Sequence, residues 1–387
     1  MTDIYDVEMQ VITPLIINTG ETFDFGELIP VSSTDPKGAK RALKGIEADF
    51  PFREVYKGNI NRISSIFEGM SSRKTRDMID RIVILSSKDP LSTDDRNELV
   101  KYRNRVADIA AEKENSRYPV RMLEKARNRI YNNPLLQVNK IYSSALDSRT
   151  YIPGSSIKGA IRTGLLEYYR ANPLRTSDKR PLEPDRDVPS WAKKGKSSSR
   201  NFEMLIMTGN PDFKPEIDPL RFFKVSDFAF EKLGAITYVG KIENDKDIPI
   251  FTAMTNSYAY SGVPVIARGT IVVDREFYKE FGVDQKTGLN GILKAASVFY
   301  DENLKDIEGE MTSDLMKYVY EKYQGLKKDD VYTLRFGRYV GIKDHTLNVR
   351  NPEFHYNPDI NIKGGSILTV EGGVLPGICT IKVKEIK

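Results

Sequence analysis

One segment, RTYIPGSSIKGAIRTGLLEYYR at residues 149–170, restricts the fold of this chain more than any other. A short strand ends in the turn Pro153-Gly154, and apolar residues then recur at helical spacing. Ser155 or Ser156 is a suitable N-cap, so we expect an amphipathic helix to begin there and to run to about residue 170. The segment therefore predicts a strand, a tight turn and a helix in succession. The buried helix face consists of Ile157, Ile161, Leu165 and Tyr168.

The composition is that of a globular protein and excludes several classes. The chain has 387 residues, 40% of them hydrophobic, enough for two domains or one large one. One cysteine, Cys379, and two histidines are too few for a disulfide framework or a zinc site built from Cys and His. No apolar run approaches the roughly 20 residues of a membrane span, and the N-terminus lacks the apolar stretch of a secretory signal. We expect a cytoplasmic protein with no metal or other cofactor.

The first 141 residues divide into a strand, a glycine loop and a long polar segment. Residues 5–12 predict a first strand, and the loop Asn18-Thr19-Gly20 follows. Residues 39–141 carry Arg and Lys at helical spacing, which predicts a large helical insertion. Residues 53–129 contain 18 basic and 12 acidic residues, a balance of +6 against +5 for the whole chain. Arg121, Lys125 and Arg129 would form one basic stripe on a helix; a solvated face with glutamate partners is the alternative.

The rest of the chain alternates strands and helices after a polar loop. Residues 172–200 are rich in Pro, Ser and Lys, which predicts a mobile loop. Between residues 175 and 200 this loop has 8 basic and 4 acidic residues. Beyond it, β-branched and aromatic residues predict strands, and apolar residues at helical spacing predict two helices. The strands are expected at 220–230, 234–242, 248–254, 263–273, 331–336, 366–371 and 378–386, and the helices at 288–299 and 311–323.

The helix entry at residues 153–162 has the residues of an anion site. A helix N-terminus presents unpaired backbone N–H groups and a partial positive charge, and two serines, Lys158 and Arg162 lie beside it. Gly154 and Gly159 would let a phosphate approach the backbone closely. The spacing of the glycines matches neither the P-loop nor the dinucleotide-binding pattern, which argues against a nucleoside triphosphatase. An ordinary capped helix whose Gly159 packs against a strand is the alternative interpretation.

Glycines also lie beside cations in the turns. The combination occurs at Arg335-Phe336-Gly337-Arg338 and again at Gly341-Ile342-Lys343. Together with the first loop, such turns are suited to following a phosphodiester backbone without reading bases. Aromatic residues near these cations could stack on bases, although most aromatic residues in a chain of this size belong to the core.

Candidate catalytic residues are few. RNA cleavage without a metal generally uses a histidine as general acid or base, and only His345 and His355 are available. Asp24 and Glu21 in the first loop could assist cleavage through a divalent ion, or could be solvated loop residues. No spacing suggests a catalytic triad, and Cys379 lies in an apolar strand as a small core residue. The residues therefore favour RNA binding over catalysis.

Three motifs occur in an order that resembles a known family. TPLIINTGE at residues 13–21, YIPGSSIKGAIRTGLL at 151–166 and LRFGRYVGIKDHT at 334–346 resemble, in turn, the first loop, the IPGSS-LKGALR motif and the glycine motif of that family. Together they resemble a RAMP-superfamily subunit of a type III-A CRISPR effector, the Csm complex. Chain length and the position of the third motif make the resemblance greatest to the fifth Csm subunit.

The resemblance implies an α+β fold of one or two ferredoxin-like (RRM-like) βαββαβ modules with a large helical insertion. On this sequence it implies one RRM-like module from residues 1–38 and 142–275, the insertion at 39–141, and a second, C-terminal RRM-like module at 276–387.

The resemblance also implies a function without catalysis. The subunit would bind crRNA, cap its 3′ end and assist its 3′-end maturation in antiviral defence. Its partners would be crRNA and target RNA, the other Csm subunits, especially the backbone RAMP subunit, and recruited cellular nucleases. A RAMP-type endoribonuclease that processes crRNA precursor is the alternative, and a protein-interaction scaffold is a third reading. The predicted RNA-binding residues are Asn18, Thr19, Gly20, Gly154, Ser155, Ser156, Lys158, Gly159, Arg162, Arg335, Gly337, Arg338, Gly341 and Lys343.

Overall fold

The structure is a computed structural model. It describes residues 2–22, 28–30, 41–43, 46–54, 119–123, 138–144, 150–173, 198–212, 214–231, 237–243, 250–281, 284–309, 311–340 and 368–386, with isolated positions between 81 and 98 and at 126, 182, 187 and 189.

Strands and helices are mixed along the described parts of the chain, as expected for an α+β protein. The strands are β1 (Thr2–Val11), β2 (Asn18–Thr22), β3 (Leu28–Pro30), β4 (Arg41–Leu43), β5 (Ile46–Glu54), β6 (Pro119–Leu123), β7 (Asn139–Ile141), β8 (Tyr151–Ile152), β9 (Phe223–Val225), β10 (Phe228–Phe230), β11 (Thr237–Glu243), β12 (Ile250–Thr255), β13 (Ile266–Asp274), β14 (Tyr332–Arg335), β15 (Thr369–Val370) and β16 (Ile378–Ile386). The helices are α1 (Gly154–Ala171), α2 (Ser198–Thr208), α3 (Tyr258–Ser261), α4 (Arg275–Phe281), α5 (Gly288–Glu308) and α6 (Asp314–Leu326), with 3₁₀ turns at Pro215–Ile217 and Pro219–Phe222.

The first sheet is antiparallel and has β1 near its centre. The strand order is β14-β16-β1-β13-β10-β8, and β9 also pairs with β13. β1 pairs with β13 from Thr2 to Gln10 and with β16 from Tyr5 to Val11, so its two neighbours come from distant parts of the sequence. Along the chain the sheet core follows the path β1, α1, β10, β13, α5, β16.

Two helices cover one face of the first sheet. Alternate residues of β1, from Tyr5 to Val11, are buried in one core with α1 and α5, because side chains alternate between the faces of a strand. α1 and α5 approach closely at Gly164, where a Cβ would lie 2.3 Å from the backbone oxygen of Ala296. The Tyr300 hydroxyl of α5 donates to the Ala160 carbonyl of α1 over 2.8 Å. The helix predicted from its apolar spacing is therefore confirmed as a core element.

The second sheet has the order β2-β7-β12-β11-β6-β5-β3, with β15 beside β11 and β4 beside β5. β11 and β12 form an antiparallel pair, whereas β6 pairs with β11 and β7 with β12 in parallel. A second apolar core joins this sheet to α6; Tyr238 and Met254 contribute from the sheet and Val319 and Tyr323 from the helix.

The loop that follows β1 connects the two sheets. The Leu15 N–H donates to the Thr255 hydroxyl over 2.8 Å, and the Thr255 N–H donates back to the Leu15 carbonyl over 2.9 Å. On the other side, the Ile378 N–H at the start of β16 donates to the Thr13 hydroxyl over 2.8 Å. The first sequence motif is therefore held by both sheets at once.

The described residues of the polar segment at 39–141, predicted as a helical insertion, include helical positions at 81, 84, 85, 93–95, 98 and 126 as well as strands. These strands are β4, β5, β6 and β7, all of them in the second sheet. Arg121 lies in β6, so the predicted helical stripe of Arg121, Lys125 and Arg129 is wrong; Lys125 and Arg129 lie outside the described residues. The physical reason is long-range pairing: β6 lies between β5 and β11, and these hydrogen bonds override the helical spacing of the cations.

Two further expectations need correction. Residues 276–387 do not form a sheet of their own, because β14 and β16 belong to the sheet of β1 and β15 belongs to the second sheet. The predicted mobile loop at 172–200 contains an anchored residue, Leu182, which is 3% exposed and donates its N–H to the Arg170 carbonyl over 2.9 Å. Its last residues, from Ser198, already belong to α2.

Candidate nucleic-acid interface

The N-terminus of α1 is capped from within the protein. The helix begins at Gly154, one residue before the predicted serine caps, and no side chain of the preceding residue caps it. The Gly154 N–H donates to the Asp227 carboxylate over 2.8 Å, so an internal anion takes the place proposed for a phosphate. Gly154 has a packing role, since a Cβ there would lie 2.3 Å from the Val225 carbonyl oxygen. The N-cap prediction at Ser155 or Ser156 is therefore wrong, because the cap comes from 73 residues away.

The two cations of α1 also have internal partners. The Lys158 ammonium donates to the Leu220 carbonyl over 2.8 Å, and burial lowers its pKa. The Arg162 guanidinium forms ion pairs with Asp218 at 2.8 Å and with Glu203 of α2 at 2.9 Å. Burial acts to lower the Arg162 pKa, but the two carboxylates outweigh it and raise the pKa. These cations join α1 to its neighbours and have little capacity left for a phosphate.

Arg335 does not lie on the surface. It is 3% exposed, and its Nε donates to the Pro376 carbonyl over 3.3 Å. The prediction that Arg335 forms part of an RNA-binding surface is therefore wrong. Its position next to a glycine turn predicted an exposed side chain. β14 pairs with β16, however, and the Arg335 side chain lies in the protein interior.

The glycine turn after β14 closes onto the first motif. Gly337 has φ +102°, and a Cβ there would lie 3.0 Å from the Ile16 carbonyl oxygen, so glycine is required both by conformation and by space. The Arg338 N–H donates to that same oxygen over 2.7 Å. The Arg338 side chain is exposed. Tyr339 continues the turn with φ 66°, a left-handed conformation that is uncommon for a residue with a side chain.

The three motifs meet around one cavity of about 480 Å³. We call it the three-motif cavity. The first motif contributes Ile16, Ile17 and Asn18, and the glycine turn contributes Phe336, Gly337 and Arg338. Helix α1 contributes Ser156, Gly159, Ala160 and Thr163, and Tyr142 and Tyr300 complete the lining.

The face of α1 that lines the cavity differs from the face that carries the cations. Ser156, Gly159 and Thr163 follow helical spacing and share one side of the helix, whereas Lys158 and Arg162 lie on the flank towards α2. A Cβ at Gly159 would meet nothing within 4 Å, so this glycine faces open space and does not pack against a strand. The anion site predicted from the sequence is therefore divided between two faces of the same helix.

Asn18 is a half-buried polar residue of the cavity. Its Oδ1 accepts a hydrogen bond from the Thr252 hydroxyl over 3.2 Å. Its Nδ2 is buried and has no partner among the residues that the structure describes. A buried amide N–H without an acceptor is unfavourable by about 1 to 3 kcal/mol, so such a group often marks a site for a ligand or water.

The remaining predicted residues have separate positions. Thr19 and Gly20 lie in β2 beyond the cavity, and Gly20 has φ +91° with open space at its missing Cβ. Ser155 is exposed on the first turn of α1. Glu21 lies in β2. Gly341, Lys343, Asp24, His345 and His355 lie outside the described residues.

The predicted RNA-binding residues omit several cavity residues, among them Thr163, Tyr142 and Tyr300. Thr163 lies one turn after Gly159, so helical spacing from that glycine could have found it. Tyr142 follows β7 and carried no signal, because only the tertiary fold brings it to α1.

Within the described ranges, no group of three or more His, Cys, Asp or Glu side chains is placed to hold a metal ion. The same part of the chain contains no helix long and apolar enough to cross a bilayer. Cys379 is buried in β16, as predicted, and burial raises the pKa of its thiol.

Comparison with known proteins identifies the family. A chain in the cryo-EM structure of a Csm–crRNA–target RNA ternary complex of a type III-A CRISPR-Cas system is similar, with TM-score 0.58 and 17% identity over 99% of this chain and 100% of that one. The crystal structure of Csm5 from T. onnurineus is similar with TM-score 0.53 and 16% identity, over 85% of this chain and 89% of that one. No curated protein sequence matches. The family model of the RAMP superfamily matches residues 8–366, and the chain belongs to that superfamily.

Proposed function

We propose that this protein is a non-catalytic crRNA-binding subunit of a type III-A CRISPR effector, and that it binds single-stranded RNA at the three-motif cavity. The observation that carries the proposal is the meeting of all three family motifs around that cavity. Membership of the RAMP superfamily supports it, as do the two structural neighbours, one in a Csm–crRNA–target RNA complex and the other a Csm5.

The order of the strands supports a ferredoxin-like module within the first sheet. In chain order the four main strands are β1, β10, β13 and β16, with α1 after the first and α5 after the third. In the sheet their order is β16-β1-β13-β10, and each strand is antiparallel to its neighbours. By position in the sequence this is the order fourth, first, third, second. This is the strand order of a βαββαβ ferredoxin-like unit.

In this role the subunit caps the crRNA 3′ end and assists its maturation. Its partners are crRNA, target RNA and the other Csm subunits, especially the backbone RAMP subunit, with cellular nucleases recruited for trimming. The two structural neighbours support this assembly. Isolation of the tagged protein from cells should recover a small RNA and the neighbouring subunits; recovery of the chain without RNA would contradict the role.

The binding site is tested by salt dependence. Arg338 is an exposed cation at the three-motif cavity, so Arg338→Ala should weaken binding of every single-stranded RNA sequence. The slope of log K against log salt should fall by about 0.7, the value for one phosphate contact on a single strand. The control is Arg221→Ala, which removes an exposed arginine 4.4 Å from the Phe222 ring and outside the cavity. Equal slopes for the two variants would refute the assignment.

The absence of catalysis is tested separately. The full chain is incubated with repeat RNA, with and without EDTA, and we expect no cleavage. RNA cleavage that is lost in His345→Ala, or that requires the metal and Asp24, would replace the proposal with the endoribonuclease alternative.

A further inference from the structure

The chemistry of the three-motif cavity differs from that of a phosphate site. Six of its lining residues are apolar or aromatic, and the others are largely neutral polar groups. The six are Ile16, Ile17, Ala160, Phe336, Tyr142 and Tyr300. Among the lining residues that the structure describes, none carries a carboxylate and Arg338 is the one cation. Surfaces that follow a phosphodiester backbone use several cations, whereas apolar and aromatic groups with a few polar atoms suit the flat ring of a base. The lining therefore matches a nucleoside better than a phosphate.

The volume of the cavity agrees with this chemistry. At about 480 Å³ it lies within the range of about 300 to 1,000 Å³ of sites that hold small organic groups. Space remains on the helix side, because Gly159 exposes bare backbone and a Cβ there would meet nothing within 4 Å. A flat group can therefore approach α1 closely at this point.

Two side chains of the cavity are suited to two parts of a nucleotide, the base and the phosphate. The Tyr142 ring is partly exposed, and its centroid lies 5.9 Å from that of Tyr151, tilted by 58°, so that one tyrosine supports the other. A base can stack on a ring supported in this way. Arg338 at the same cavity is available for the adjoining phosphate.

We infer that the three-motif cavity holds the base and ribose of one unpaired RNA nucleotide, with Tyr142 stacking on the base and Arg338 on its phosphate. The inference rests on the proposed RNA-binding function and adds that the site takes up a base. Because stacking is tolerant of sequence, the site accepts any of the four bases.

The test blocks the cavity without disturbing the fold. Gly159→Leu places a side chain in the open space, and leucine favours a helix more than glycine does. The matched control is Gly325→Leu in α6, a helical glycine that also has nothing within 4 Å of a Cβ and does not line the cavity. A second pair is Tyr142→Ala, which removes the ring, and Tyr142→Phe, which keeps it. Thermal unfolding of each variant shows that the fold is retained.

Binding is measured by fluorescence anisotropy with two single-stranded RNA oligonucleotides of equal length, one complete and one with abasic positions. The wild-type chain should bind the complete oligonucleotide about tenfold or more tightly, the size of one stacking contact. Gly159→Leu and Tyr142→Ala should abolish this preference, and Gly325→Leu and Tyr142→Phe should retain it. The salt slope should be unchanged in both Tyr142 variants and in Gly325→Leu, because Arg338 keeps its phosphate contact in them.

The possible failures are distinct. Equal binding of complete and abasic RNA by the wild-type chain overturns the base-binding inference and leaves RNA binding in place. An equal loss in Gly159→Leu and Gly325→Leu also overturns it. If the wild-type chain binds neither oligonucleotide, the proposed function fails, and the inference fails with it.

Discussion

At the scale of single residues, Arg162 shows how a cation that looked suited to RNA has a structural role. Its guanidinium joins α1 to Glu203 and Asp218, and the three side chains are 20% to 28% exposed. Arg162→Ala would leave both carboxylates without their partner in a half-buried place. We expect the free energy of unfolding to fall by about 1 to 3 kcal/mol, measured by urea denaturation.

The control for this change is an exposed ion pair. Lys279 and Glu276 of α4 are also paired, but 69% and 49% of their side chains are exposed. Lys279→Ala should change the free energy of unfolding by less than about 0.5 kcal/mol. If Arg162→Ala lowers the salt slope of RNA binding and leaves stability unchanged, the original phosphate assignment of Arg162 is correct and its structural role is not.

Glu8 is the second residue whose charge matters. It lies on β1, 8% exposed, among Arg268 of β13 and Lys382 and Lys384 of β16. Burial acts to raise the pKa of its carboxyl, but Lys382 first and then the other cations lower it below the ordinary value of 4.5. A lowered pKa in the folded state means that the charge stabilises the fold above pH 4.5 and that this stabilisation is lost as the pH falls through the folded pKa.

Glu8→Gln should therefore destabilise the protein near neutral pH, by about 1 to 2 kcal/mol, because Arg268, Lys382 and Lys384 each lose an ion pair. Among the described residues, only Arg268 keeps a second carboxylate, that of Glu231. The difference from wild type should shrink in acid, once Glu8 is protonated in both states. Urea denaturation across the acidic range measures it. Glu216→Gln, at an exposed position of a 3₁₀ turn, is the control and should have little effect at any pH. If the difference in the free energy of unfolding between Glu8→Gln and wild type did not depend on pH, the effect would come from altered packing and not from the lost charge.

At the scale of elements, α1 contains two glycines with opposite requirements. Gly164 lies against α5, where a Cβ would be 2.3 Å from a backbone oxygen, whereas Gly159 faces open space. Gly164→Ala should cost about 1 to 3 kcal/mol through overpacking, despite the better helix propensity of alanine. Gly159→Ala should gain about 0.5 to 1 kcal/mol. Thermal unfolding of both variants measures this contrast, and equal effects would contradict the close contact of α1 with α5.

Elements with strong periodicity could be predicted from the sequence, whereas their partners could not. β1, α1, α5, α6, β13 and β16 are confirmed within a few residues at most ends, because each has its own apolar pattern. The cap of α1 comes from Asp227 and the partners of Arg162 from α2 and the turn after it, which lie 41 to 73 residues away. No local pattern predicts such contacts, so the sequence located the motif but could not show that its two cations have partners within the protein.

At the scale of the whole molecule, the topology unites the two ends of the chain. β1 and β16 are neighbours over seven paired positions from Tyr5 to Val11, and β13 lies on the other side of β1. The motifs at residues 13–21 and 334–346 meet at the cavity because their preceding strands belong to one sheet. Sequence order alone suggested a separate C-terminal module, since the pairing of β1 with β16 spans almost the entire chain and leaves no local signal.

This topology predicts how the chain behaves when it is divided at the boundary that the sequence suggested. The fragment 276–387 contains β14 and β16 but lacks β1, the strand that β16 pairs with along most of its length. Alone it would expose one edge of β16 and the apolar face of α5 that packs on α1, so we expect no cooperative urea unfolding by circular dichroism.

Co-expression of residues 1–275 and 276–387 as two chains should recover a complex, because the pairing of β1 with β16 does not require a covalent link between them. The complex is measured by purifying one fragment through a tag and detecting the other fragment with it. The full-length chain is the reference for unfolding. Independent folding of 276–387, seen as a cooperative transition in the absence of the larger fragment, would show instead that the C-terminal segment is a domain of its own and that β16 does not need β1.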